Sequence, residues 1–191
     1  VEGTSAWGGA AWSSDGRDFF YMMPDDQMRP FEVWRHRLGT PQSDDVCVLR
    51  EDDERCYLGI ELTRSERWIV IESASKTSSE VRLLAADQPD LVPRLVRPRT
   101  DDLEYSFDHW GDRFVVLTNL DAEDFRVMTA PEDAPDVWTE LLPHVPGQRI
   151  VGIEPFATHL AVHEWSNAQQ RVRIVRRDGT VETLDLGDEP H

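Results

Sequence analysis

Residues 103–142 read LEYSFDHW GDRFVVLTNL DAEDFRVMTA PEDAPDVWTELL. Leu103 to Trp110 predicts a first strand, and Gly111-Asp112 turns the chain. Arg113 to Thr118, rich in β-branched residues, predicts a second strand. Asp121 to Asp124 is a polar turn, Phe125 to Ala130 a third strand, and Pro131 to Pro135 a break. Trp138 to Leu142 predicts a fourth strand, followed by Pro143, Pro146 and Gly147. Forty residues therefore encode four short strands joined by turns.

Working outward from this stretch, the pattern recurs. Apolar runs start at Phe19, Trp68, Phe114 and Leu160, with separations of 49, 46 and 46 residues. A second set centres on Val33, Val81, Val127 and Val172, separated by 48, 46 and 45. A third passes through Val48, Leu95, Leu141 and Leu184, separated by 47, 46 and 43. Three markers in phase point to repeated units of four strands, the signature of β-propeller blades. The predicted fold is all-β, a propeller fragment of about four blades at 1–51, 52–99, 100–147 and 148–191. A β-sandwich of similar strand count is the alternative, but it does not require markers in phase. No stretch carries a convincing helix; Val137 to Leu142 is too short and lies among prolines.

Burial is legible from the same runs. Phe19-Phe20-Tyr21, Trp68-Ile69-Val70-Ile71 and Phe114-Val115-Val116-Leu117 are continuously apolar, as in strands covered on both faces. In the third strands Val172 and Ile174 alternate with Arg171 and Arg173, which places those strands nearer solvent. Each sheet is thus expected to have a buried middle and a wetter rim.

Composition bounds the function. The 191 residues carry 37 acidic and 20 basic side chains, a net charge of -17, and Lys76 is the only lysine. Phosphate backbones and anionic membranes need clustered cations, so neither nucleic acid nor a membrane surface is an expected partner. No apolar run approaches the roughly 20 residues of a membrane span, and no signal peptide is evident. The start at Val1 predicts a piece cut from a longer protein. Cys47 and Cys56 are too few for a disulfide framework and read as reduced, buried, small apolar residues in a cytoplasmic protein.

The wording of the repeats adds a family. Trp12-Ser13-Ser14-Asp15-Gly16-Arg17-Asp18-Phe19-Phe20-Tyr21, Val33-Trp34-Arg35-His36-Arg37-Leu38-Gly39-Thr40, Ser78-Ser79-Glu80-Val81-Arg82-Leu83-Leu84 and Arg97-Pro98-Arg99 resemble the propeller of the oligopeptidase B branch of the prolyl oligopeptidase family. So do Glu104-Tyr105-Ser106-Phe107-Asp108-His109 and Leu117-Thr118-Asn119. The resemblance is strongest from Trp12 to Asn119 and looser in the last repeat. It implies a seven-bladed propeller that caps an α/β-hydrolase domain, gates access, and admits short peptides cleaved after Arg or Lys. The nucleophile elbow of that hydrolase needs Gly-x-Ser-x-Gly, and no serine here lies in such a pattern. This chain alone is therefore expected to be inactive, with no catalytic residue, no cofactor and no metal of its own. Its expected partners are the hydrolase domain of the same protein and short basic peptides. Open blade edges add the possibility of self-association. A free-standing propeller scaffold for protein partners is the rival reading, and an enzyme with its own channel site the weakest.

Candidate residues follow. Asp108 and His109 end a first strand, which in a propeller lies next to the channel, and together with Tyr105 they are candidates to line it or to face the hydrolase. The plainer reading has Asp108 capping the Gly111-Asp112 turn, with Tyr105 and Trp110 packing between blades. Arg35 and His36 are expected to make blade-to-blade hydrogen bonds. His159 and His163 have a helical metal spacing but fall in a strand, where they share one polar face. Glu51-Asp52-Asp53-Glu54 lacks the glycine and ligand alternation of a calcium loop and reads as a solvated junction.

Overall fold

The computed structural model describes residues 1–5 and 7–184. Those residues form four sheets, each of four antiparallel strands in sequence order. Sheet 1 contains β1 (Ala11–Trp12), β2 (Asp18–Pro24), β3 (Pro30–Arg37) and β4 (Val46–Arg50). Sheet 2 contains β5 (Tyr57–Leu62), β6 (Trp68–Ala74), β7 (Ser79–Ala85) and β8 (Arg94–Leu95). Sheet 3 contains β9 (Tyr105–Trp110), β10 (Arg113–Thr118), β11 (Arg126–Pro131) and β12 (Thr139–Leu142). Sheet 4 contains β13 (Gln148–Pro155), β14 (His159–Ser166), β15 (Gln169–Arg176) and β16 (Val181–Leu184). The markers at Val48, Leu95, Leu141 and Leu184 all fall in fourth strands. The predicted end of the last blade, 185–191, lies outside the described residues.

The strands follow the sequence pattern. In β10 every residue after Arg113 is buried, and in β14 Leu160, Ala161 and Val162 are buried in succession. The fourth strands are mostly exposed; β16 is exposed throughout. Continuous apolar runs thus fill the middle of each sheet, and polar residues take the rim. Helix is confined to one 3₁₀ turn, Gln42–Asp44, among the described residues.

The chain divides into two units, Val1–Asp102 and Leu103–His191. In the first, one face of sheet 1 packs on one face of sheet 2. Phe20, Met22 and Val33 meet Leu58, Ile60, Ile69, Ile71 and Leu84 in a single apolar cluster. In the second, Val115, Leu117, Val127 and Leu142 of sheet 3 meet Ile150, Leu160, Val162 and Val175 of sheet 4. Alternate residues of a strand point to opposite faces, so these clusters consume only one face of each second strand.

Polar bonds reinforce each pair. Ser14 N–H donates to the Ala86 carbonyl at 2.8 Å, from sheet 1 to the end of β7. Trp110 Nε1–H donates to the Phe156 carbonyl at 2.8 Å, from sheet 3 to sheet 4. The N-terminal segment runs against β5, where Ile60 N–H donates to the Gly8 carbonyl at 2.6 Å. Gly9 has φ +85°, and a Cβ there would lie 2.2 Å from the Ile60 carbonyl oxygen. Only glycine fits that approach.

Phe114, at 0% exposure, fills the middle of sheet 3 beside Phe107 and His109. Phe114→Ala is expected to cost about 3–5 kcal/mol of unfolding free energy. Urea denaturation measures it; a loss under about 1 kcal/mol would contradict this packing.

Candidate functional site

Sheet 3 carries the three candidates. β9 alternates, so Tyr105, Phe107 and His109 share one face and Ser106, Asp108 and Trp110 the other. Tyr105 is buried, its ring edge-on to Trp138 at 5.2 Å. His109 is also buried, and its Nε2 lies 2.8 Å from a Glu132 carboxylate oxygen. Asp108 is half-buried and accepts the His109 backbone N–H at 2.6 Å. The turn after β9 closes through Asp112 N–H to the Trp110 carbonyl, 3.0 Å. Trp110 packs in the shared core of sheets 3 and 4, with the Arg177 guanidinium 4.6 Å over its ring. Tyr105 and His109 thus meet residues of the connection between β11 and β12, and Asp108 is the more accessible of the three.

Sheet 1 separates Arg35 from His36. Arg35 crosses to the loop after β7, donating to the Pro89 carbonyl at 2.6 Å and pairing with Asp90 at 2.6 Å. Arg37 joins it, bridging the buried Asp18 and Asp90. His36 points along its own sheet instead, its Nδ1 2.7 Å from Asp45. Asp45 also accepts the Tyr21 hydroxyl at 2.9 Å, and burial together with that carboxylate pushes the phenol above its ordinary pKa. One of the two residues therefore bonds between sheets, and the other does not.

The acidic run departs most from its expected role. Glu51 is half-buried, accepts from Ser73 Oγ and the Arg99 guanidinium, and receives the Asp53 amide at 2.9 Å. Burial alone raises its pKa, but the bonds from Ser73 and Arg99 outweigh that and hold it below the usual range. Asp53 binds Arg55 at 2.7 Å and faces Arg99 at 3.7 Å. Arg29, 8% exposed, closes the knot: its Nη1 donates to the carbonyls of Glu51, Asp53 and Cys56, and its Nε to Asp25. The junction is an ion-pair knot that anchors the loop between sheets 1 and 2, not a simply solvated stretch. No composition signal marks Arg29, because its three acceptors are backbone carbonyls.

Cys56 is buried, as expected, whereas Cys47 is exposed on the rim strand β4. β4 is an edge strand of sheet 1 with no buried residue, which the expectation of two buried thiols overlooked. Partial desolvation, joined at Cys47 by the charge of Glu32, raises both thiol pKa values, the opposite direction from an activated thiolate. His159 stacks on Phe156 at 4.8 Å, and His163 faces Glu154 at 3.7 Å. Among the described residues no group of three or more His, Cys, Asp or Glu side chains could hold a metal ion. No helix of the described residues is long and apolar enough to cross a membrane.

A carboxyl that the sequence did not single out is Glu72, at the end of the apolar run Trp68 to Ile71. Its pKa is pushed up to about 7 by burial and, next, by the charge of Glu61. Register explains the pairing: Glu72 stands opposite Gly59, and Glu61, two residues on, shares that face.

The comparisons agree with the sheets. The family model for the prolyl oligopeptidase N-terminal beta-propeller domain matches residues 1–188. Dipeptidyl aminopeptidase BI of Pseudoxanthomonas mexicana is 37% identical over 181 residues, covering 93% of this chain and 25% of that protein. Protease 2 of Moraxella lacunata is 29% identical over 184 residues, covering 96% and 26%. Oligopeptidase B from Trypanosoma brucei, with covalently bound antipain in a closed form, superposes with TM-score 0.90 at 31% identity, covering all of this chain and 28% of that one. Oligopeptidase B from Leishmania major gives TM-score 0.89 at 26% identity, covering 98% and 28%. The chain thus spans about a quarter of the length of the curated relatives it matches.

Two substitutions test this geometry. Arg99→Met leaves Glu51 without its cation and is expected to cost about 3 kcal/mol at neutral pH. A denaturation midpoint equal to the parent's would contradict the knot. Glu72 has a raised folded pKa, so its penalty is absent at acid pH and grows as pH rises toward 7. Glu72→Gln is therefore expected to leave stability unchanged near pH 4 and to raise it by about 2 kcal/mol at pH 8. Equal effects at both pH values would contradict the shift.

Four sheets of four antiparallel strands, a family match over nearly the whole length and close superposition on oligopeptidase B lead to one conclusion: the chain belongs to the prolyl oligopeptidase family and carries its N-terminal β-propeller fold.

Proposed function

We propose that this chain is the access-controlling part of an oligopeptidase-B-like serine peptidase, with catalysis on a hydrolase domain of the same protein. Residues 1–51, 52–99, 100–147 and 148–191 are its blades, and first strands line the channel. Folded proteins are excluded by size, and short basic peptides are drawn in by charge. The observation that carries this reading is the likeness to oligopeptidase B over the whole chain, at 31% identity and TM-score 0.90. The names of the other relatives, a dipeptidyl aminopeptidase and a protease, support peptide chemistry.

The charge supports the filter. A net charge of -17 concentrates cationic peptides near the chain and repels acidic ones. Asp108 is the candidate to face the channel or the hydrolase, with Tyr105 and His109 positioned behind it by Trp138 and Glu132. Apolar side chains left exposed, such as Trp12 and Leu38, support self-association where no neighbouring blade covers them. A cytoplasmic setting fits a free, buried Cys56.

The test uses the full-length protein. Its kcat/KM for an arginyl peptide amide is expected to fall about tenfold from low to high salt, while a neutral peptide changes little. Asp108→Asn is expected to flatten part of that slope. The chain alone is expected to leave the amide intact. A salt-independent kcat/KM overturns the attraction, and hydrolysis by the chain alone overturns the assignment of catalysis elsewhere.

A further inference from the structure

One end of sheet 2 holds a cavity of about 610 Å³, within the range of small-molecule sites. It lies among the junction before β5, the turn between β6 and β7, and the segment after β8. Its lining combines Cys56, Tyr57 and Ala74 with Glu54, Lys76 and Asp101.

The polar groups divide into two kinds. Arg55 and Arg99, which also border the cavity, are committed to Asp53, Glu51 and Ser73. Ser75 is committed within its own turn, accepting the Thr77 and Ser78 amides and bonding Ser78 Oγ at 2.8 Å. Lys76, Glu54 and Asp101 are exposed, and the charge of Asp101 also acts on Arg55. The cavity therefore presents one exposed ammonium and two exposed carboxylates. The ammonium is the chain's only lysine, against a net charge of -17. Beside them Tyr57 is 57% exposed, an aromatic residue on an otherwise polar rim.

We propose that this cavity binds the free ends of a short peptide. Lys76 takes the terminal carboxylate, and Glu54 and Asp101 take the terminal ammonium. Tyr57 and Ala74 take an apolar side chain. A simple anion does not suit two exposed carboxylates, and a simple cation does not suit the lysine; a zwitterion satisfies both. The size bounds the ligand to a few residues. The site is separate from the sheet 3 candidates, and it deepens the proposed function by naming a second place where short peptides bind. In that respect it rests on the short-peptide reading, yet its binding assay is independent of cleavage.

The probe is L-alanyl-L-phenylalanine, titrated into the isotopically labelled protein and followed by NMR at residues 54–57 and 74–78. Saturable shifts in the millimolar range are expected there. The acetylated and amidated dipeptide, which has neither terminal charge, is expected to bind at least tenfold more weakly. Lys76→Ala and the double variant Glu54→Gln, Asp101→Asn replace exposed residues, so the fold is kept; each is expected to weaken the free dipeptide about tenfold. Equal binding of the blocked dipeptide, unchanged binding by both variants, or shifts confined to other residues overturns the proposal. A salt-independent kcat/KM with intact dipeptide binding would instead count against the charge filter alone.

Discussion

The second strand of each sheet is apolar on both faces, and every other feature of the chain answers to that. A strand of this kind cannot face water on either side, so a four-stranded sheet built around it cannot stand alone. Phe20 and Met22 find their cover in Ile60 and Ile71, and Val115 and Leu117 find theirs in Leu160 and Val162. Repetition of a sheet that needs neighbours is the physical basis of a propeller, in which stability resides in the contacts between units.

The polar residues divide into those that secure this packing and those left for other work. Arg35 and Arg37 carry sheet 1 to the loop after β7, and Arg29 with Arg99 fastens the junction before β5. Each of these arginines meets carboxylates or carbonyls at low exposure or in a network, where charge-assisted bonds count for more than on open surface. Most of the remaining acidic side chains face solvent. Their net negative field is the property that a filter for basic peptides would use.

Much of the fold was legible because a blade has a fixed length and a fixed order of burial. Arg113–Thr118 matches the second strand of sheet 3 residue for residue, and the three periodic markers fall in second, third and fourth strands throughout. The candidate site was less legible. Tyr105 and His109 read as channel residues from their place in a first strand, but Trp138 and Glu132, which hold them, come from outside that strand and only the fold brings them near. The raised Glu72 pKa depends on a register that sets it across from Gly59 and beside Glu61. The Gly9 approach to Ile60 and the three carbonyls on Arg29 likewise involve backbone atoms, which leave no mark in residue identity.

Apolar second strands hold each pair of sheets together and arginine knots fasten the junction between sheets 1 and 2, while the acidic exterior is the basis of the proposed filter. The central proposal is that size and charge at the propeller, rather than sequence recognition alone, decide which peptides the full-length protein cleaves. The most direct measurement presents one Arg-containing sequence to the full-length protein in two forms, as a short free peptide and within a surface loop of a folded carrier protein. The account predicts cleavage of the free peptide and none of the carrier loop. Comparable kcat/KM for both forms would contradict it.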